Sequence, residues 1–62
     1  MELAVDKIKK LMGAYGIRNQ SHLAKKIGES RQLVSLDFKY KRLQRVEKYA
    51  ELFDLDYKDL IK

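Results

Sequence analysis

The apolar residues of this chain recur every three or four positions, in segments that contain no proline. Such spacing gives a helix one apolar face, so it predicts an all-α fold. The expected helices cover approximately residues 2–14, 20–27, 31–37, 42–53 and 57–61. We therefore expect a compact bundle of four to five short helices.

Glycines and short polar residues indicate where these helices begin and end. Asn19, Ser30 and Asp56 each precede a helical segment, where their side chains are able to accept a hydrogen bond from a free backbone N–H. Gly16 and Gly28 each follow a segment, and glycine readily adopts the left-handed conformation that ends many helices. The second and third helices are then separated by a turn of about three residues.

Two short helices joined by such a turn are typical of a helix-turn-helix. Ala24 stands where the third helix must cross the second, and its methyl group permits a close approach that a larger side chain would prevent. After Asp37, apolar and charged residues alternate with a period of two, so we expect residues 38–41 to form a loop.

The length of the chain, 62 residues, allows a single domain, residues 1–62, around one core. Cysteine is absent, which excludes disulfides and thiolate metal sites and is usual for a cytoplasmic protein. The longest apolar runs are only two or three residues, too short for a membrane span or a signal peptide. We expect a soluble protein without a membrane partner.

Positive charge is concentrated in the first three quarters of the chain. Residues 1–45 carry 11 Lys or Arg and 4 acids, a net charge of +7, whereas residues 46–62 carry 3 and 5, a net charge of −2. Clustered cations favour a polyanionic partner such as nucleic acid, because phosphate neutralisation releases condensed counterions. The alternative is a set of ordinary solvated lysines.

No pattern in the sequence indicates catalysis. The chain has one His, no Cys, no glycine-rich phosphate loop and no carboxylate pair opposite a nucleophile. Asp54, Asp56 and Asp59 lack the glycine-centred loop of a calcium site. We expect a protein that is not an enzyme and has no cofactor, metal or small-molecule ligand.

The segment from Asn19 to Arg31, with the sequence NQSHLAKKIGESR, resembles the helix-turn-helix of the phage repressor and Cro family (XRE type). That family commonly has Ser, Thr or Asn followed by Gln, then Leu-Ala, an apolar residue before Gly, and Ser or Thr capping the recognition helix. Residues 50–61 are similar to the family's last segment. The resemblance implies a lambda repressor-like domain whose third helix enters the DNA major groove.

This resemblance implies two groups of DNA-contacting residues. Arg and Gln form bidentate pairs with guanine and adenine, and an apolar side chain contacts the thymine methyl. The predicted base-reading residues, of which Leu36 has a core position as its alternative, are Arg31, Gln32, Ser35 and Leu36. The predicted phosphate-binding residues, each with an ordinary solvated side chain as the alternative, are Gln20, Ser21, Ser30, Lys39, Lys41 and Arg42.

Two departures from the family pattern follow the recognition helix. Asp37 stands where an apolar residue is usual, and a Glu-x-Gly loop is missing, so the connection is about three residues shorter. Because a lone buried carboxylate would cost several kcal/mol, we expect Phe38 rather than Leu36 to supply the apolar contact.

The sequence therefore predicts a DNA-binding transcriptional regulator, a Cro- or repressor-like protein that binds a palindromic operator as a homodimer. Its expected location is the cytoplasm of a bacterium or of a phage-infected host. The alternative is a protein-interaction module on the same fold, such as an antirepressor or an antitoxin-like partner. Exposed Arg31 and Gln32 would favour DNA, and an exposed apolar patch at that place would favour a protein.

Overall fold

The computed structural model describes all 62 residues, which form four α-helices and one 3₁₀ helix. In chain order they are α1 (Val5–Ala14), α2 (Gln20–Ile27), α3 (Arg31–Tyr40), α4 (Val46–Leu52) and the 3₁₀ helix (Tyr57–Leu60). The predicted all-α bundle is confirmed. None of these helices has the length and apolar character needed to cross a membrane.

The predicted helix caps are confirmed in their geometry. Each N-cap side chain accepts a hydrogen bond from a backbone N–H of its own helix: Asn19 from His22 at 2.9 Å, Ser30 from Leu33 at 3.2 Å and Asp56 from Lys58 at 3.0 Å. Gly16 and Gly28 adopt left-handed conformations, with φ of 71° and 72°. A side chain is strained at such angles, which explains the glycine that ends α2.

The first helix begins at Val5, whereas the sequence predicted a start at residue 2. The preceding residues are extended and pair with the end of the chain through an antiparallel bridge between Leu3 and Ile61. Glu2 and Lys62 exchange backbone hydrogen bonds of 3.1 and 2.7 Å. These N–H and C=O groups thus find partners across the chain and not within a helix.

The connection between α3 and α4 also differs from the prediction. α3 continues to Tyr40 and does not end at Asp37, and α4 begins at Val46 and not at residue 42. The predicted loop 38–41 was therefore wrong for residues 38–40, because burial of Phe38 on the same side as Val34 extends the helix. Lys41, at φ 54°, reverses the chain, and residues 42–45 form an irregular turn.

The core lies between the helices and contains Ala24, which is 3% exposed in α2. α2 packs against both α3 and α4, while the 3₁₀ helix packs against α1 and α4. Phe38 is also buried, as predicted for the apolar contact, but it lies within α3 and not after it. α3 is consequently held on one side only, and its opposite side is left free.

Candidate nucleic-acid interface

One side of α3, which we call the outer face, is exposed along its whole length. Gln32, Ser35, Leu36 and Lys39 follow the spacing i, i+3, i+4 and i+7 that places side chains in one stripe, and Arg31 lies beside them. All five residues are exposed. Leu36, at 37% exposure, lies on the surface and not in the core.

The polar side chains of the outer face have no hydrogen-bond partner within the chain. Arg31, Gln32 and Ser35 neither donate nor accept a side-chain hydrogen bond. The Lys39 ammonium lies 5.3 Å from the centre of the Tyr40 ring, a contact that leaves its N–H donors available. The donors of this face therefore remain free for an external acceptor.

The N-terminus of α2 presents a second set of free donors. The Asn19 side chain accepts from the His22 N–H, and the first intrahelical backbone bond joins the Leu23 N–H to the Asn19 carbonyl. The N–H groups of Gln20 and Ser21 precede these bonds, as the first amides of a helix do. Free amides and the helix dipole attract an anion there, so the phosphate-binding role of Gln20 and Ser21 stays a physically reasonable prediction.

The remaining predicted phosphate contacts lie at the two ends of α3. At its start, the Ser30 oxygen accepts the Leu33 N–H and its own proton remains able to donate. At its end, Lys41 is exposed, and its ammonium is 3.9 Å from the Glu2 carboxylate. An exposed pair of this kind contributes only about 0–1 kcal/mol, so it restrains Lys41 weakly.

The opposite, buried side of α3 carries an ion-pair cluster, which we call the Asp37 cluster, formed by Asp37, Arg42, Arg45 and Tyr49. One oxygen of the fully buried Asp37 accepts from Arg42 Nε at 3.1 Å and from Arg45 Nη2 at 2.8 Å. The other accepts from Arg45 Nε at 2.6 Å and from the Tyr49 hydroxyl at 2.8 Å. All four acceptor positions of the carboxylate are thereby filled.

These contacts shift the pKa values of the cluster. Burial raises the pKa of Asp37, but the hydrogen bonds from Arg45, Tyr49 and Arg42 outweigh it and leave that pKa below its ordinary value. The bond to Asp37 raises the pKa of Arg45. Burial, followed by the bond to Asp37, raises the pKa of Tyr49. The carboxylate is therefore ionised and the hydroxyl neutral at physiological pH.

The Asp37 cluster was not anticipated from the sequence. We expected a lone buried carboxylate to be costly, and we predicted Arg42 as a phosphate-binding residue. Instead, Asp37 is buried beside Phe38, and both arginines turn toward it. The sequence feature that could have indicated this cluster is the pair of arginines five and eight residues after a carboxylate on the apolar side of a helix.

A groove of about 670 Å³ extends the positive surface beyond the end of α3. Its base includes the buried residues Leu3 and Phe38, and its rim carries more cations than acids: Lys7, Lys9, Lys10, Lys41 and Lys62 against Glu2 and Asp6. The acids of the last part of the chain lie elsewhere, on α4 and after it. None of these acids lines the groove, whose lining carries more cations than acids.

Comparisons with protein-family models, with curated proteins and with solved structures found no match.

Proposed function

We propose that this chain is a sequence-specific DNA-binding protein that regulates transcription by placing α3 in the major groove. The observation that carries the proposal is the outer face of α3, an exposed stripe with unpaired polar side chains on a helix whose other side is packed. The major groove admits an α-helix and distinguishes all four base pairs by their donors and acceptors.

Within this proposal, the first turn of α3 reads bases. Gln32 pairs with adenine and Arg31 with guanine, each contributing about 1–3 kcal/mol of discrimination. Ser35 contacts a base edge or a phosphate one turn later, and Leu36 contacts a thymine methyl. Gln20, Ser21, Ser30, Lys39, Lys41 and Arg42 hold the backbone phosphates, which fixes the register without reading sequence.

The active form in this proposal is a homodimer on a palindromic operator. A two-fold pair of helix-turn-helix domains matches half-sites separated by one helical turn of DNA, about 34 Å. A domain this small also gains apolar burial from pairing. The biological setting is transcriptional control in a phage, a prophage or a bacterium.

The competing hypothesis is a protein-interaction module, and one observation favours it. Leu36 and Tyr40 are both exposed and lie one turn apart on α3. Two neighbouring side chains alone do not form the large apolar patch that protein interfaces need. Because the first turn of α3 instead exposes Arg31 and Gln32, the DNA proposal is favoured.

Selection from a pool of random duplexes tests the proposal directly. We expect a palindrome to be enriched, with a half-site spacing that reports the symmetry of the bound protein. If about four to six phosphates are neutralised by each protomer, the logarithm of the affinity should fall with the logarithm of salt concentration with a slope near −4 to −5 per protomer. Failure to enrich any sequence, together with a slope near zero, would reject DNA binding.

A further inference from the structure

We propose that Asp37 is a positioning residue that holds the Arg42 guanidinium ready to clamp a DNA phosphate beside the end of α3. This inference rests on the proposed function and deepens it. Asp37 itself, being fully buried, would not touch DNA. Its role is to orient the Arg42 guanidinium before DNA binds, so that this guanidinium contacts the phosphate.

The hydrogen bonds of the Asp37 cluster indicate different roles for its two arginines. Arg45 donates to both carboxylate oxygens, through Nε at 2.6 Å and Nη2 at 2.8 Å, and only 13% of its side chain is exposed. Arg42 donates to Asp37 through Nε alone, at 3.1 Å, and 28% of its side chain is exposed. Neither terminal nitrogen of Arg42 has a partner within the chain, so both remain available to a phosphate.

The charges of the cluster support the same division. One carboxylate neutralises one guanidinium, and the bidentate contact makes Arg45 the charge partner of Asp37. The Tyr49 hydroxyl completes the acceptor positions without adding charge. One positive charge is therefore left over, on the more exposed arginine, Arg42.

The place of Arg42 in the fold suits a phosphate contact. α3 has ten residues and is therefore about 15 Å long, more than the width of the major groove, about 12 Å. With the first turn of α3 at the bases, as the proposed function has it, the segment that follows the helix would reach the sugar-phosphate backbone at the groove edge. Two hydrogen bonds to Asp37 hold Arg42 at this end of α3. Besides the bond from Nε to the carboxylate, the Arg42 backbone N–H donates to the Asp37 carbonyl at 3.0 Å.

The decisive variant is Arg42→Lys, which keeps the charge but removes the Nε donor and the planar fork. Asp37 would still be satisfied by Arg45 and Tyr49, so the fold should persist. Binding to the selected operator and to a scrambled duplex is measured by fluorescence anisotropy at several salt concentrations. We expect roughly tenfold weaker binding to both duplexes and a salt slope reduced by about one.

The matched control is Arg18→Lys, because Arg18 is an exposed arginine whose side chain has no bond within the chain. This variant should change binding by less than about twofold, since no carboxylate positions its guanidinium. Equal affinity and slope for Arg42→Lys and the wild type would overturn the positioning role and leave DNA binding intact. A wild-type chain that binds no duplex would instead reject the proposed function and this inference together.

Asp37→Asn provides a second test, because the change in charge and the loss of positioning predict opposite changes in DNA affinity. The substitution makes the chain more positive by one, so attraction to DNA alone predicts tighter binding. Loss of the carboxylate that holds Arg42 predicts weaker binding. Glu47→Gln, at an exposed position on α4 without an ion pair, adds the same charge and should not weaken binding. Tighter binding by a folded Asp37→Asn variant would overturn the inference, and if that variant does not fold, Arg42→Lys decides.

Discussion

Polar residues on the two sides of α3 differ in exposure and in hydrogen bonding. On the outer face, Arg31, Gln32 and Ser35 are exposed and have no hydrogen-bond partner in the chain. On the buried side, Asp37 is inaccessible to water and accepts four hydrogen bonds. α3 thus carries one polar side chain whose hydrogen bonds are all made within the chain and others that make none within the chain.

This difference separates structure from recognition. A buried carboxylate without partners would be destabilising, so its contacts are needed to keep the fold. An exposed amide or guanidinium bonds to water at no such cost and exchanges that water for a base edge. Substitutions on the buried side should therefore alter stability, with Asp37 acting on binding only through Arg42, and substitutions on the outer face should alter binding.

The largest expected effect is on stability, from Asp37→Ala. Removing the carboxylate leaves Arg45 and the Tyr49 hydroxyl without their acceptor in a buried place, a change that costs about 3–5 kcal/mol in general. We expect about 3 kcal/mol, because both arginines retain some access to water. Urea unfolding measures this change.

Ser35→Ala on the outer face is the control, and it should change the free energy of unfolding by less than about 0.5 kcal/mol. Similar losses in the two variants would mean that the two sides of α3 do not differ as described.

The sequence was sufficient for the ends of α2 and the start of α3, which depend on local chemistry. Asn19, Gly28 and Ser30 determine the helix ends around the turn through their own side chains or backbone angles, so those ends were predictable. The extension of α3 to Tyr40 accompanies burial of Phe38 and the ion pairs of Asp37 with Arg42 and Arg45, contacts that the alternation of apolar and charged residues does not indicate. The prediction therefore failed at residues 38–40, which are helical, and at residues 42–45, which precede α4.

A smaller loss of stability is expected from Ala24→Leu, which tests how the buried side of α3 is supported. Ala24 is buried in α2, which packs directly against α3, so the added atoms would force the two helices apart. Overpacking of this kind costs about 1–3 kcal/mol. Thermal unfolding followed by circular dichroism measures it, with Ala14→Leu at the exposed end of α1 as the same change outside the core. Equal melting temperatures for the two variants would contradict close packing at Ala24.

On the outer face, Gln32→Ala should change specificity without changing stability. The substitution removes two hydrogen bonds to a base edge and no charge, so binding to the selected operator should weaken by about 1–3 kcal/mol and binding to a scrambled duplex should hardly change. Equal losses on both duplexes would show that this face does not read bases.

The contrasting variant is Lys41→Asn, chosen because asparagine tolerates the left-handed conformation of this residue. It removes a phosphate partner, so it should weaken binding to all duplexes about equally and lower the salt slope by about one. A loss confined to the operator would assign Lys41 to base reading instead.

The smallest effect concerns pH, and it sharpens the contrast because only the buried side of α3 carries the group involved. The pKa of Asp37 is lowered from 3.8 in the folded chain, so its ionised form stabilises the fold above that value. This contribution is lost as pH falls through the folded pKa, where protonation begins to break the bonds to Arg45 and Arg42. The free energy of unfolding of wild type minus that of Asp37→Asn should therefore be constant between about pH 7 and 5 and should narrow below about pH 4. Taking this difference removes the contribution of every other carboxylate, because both chains share them. A difference that stays constant down to pH 2 would mean that the charge of Asp37 does not stabilise the fold, and the buried side of α3 would then owe its order to apolar packing alone.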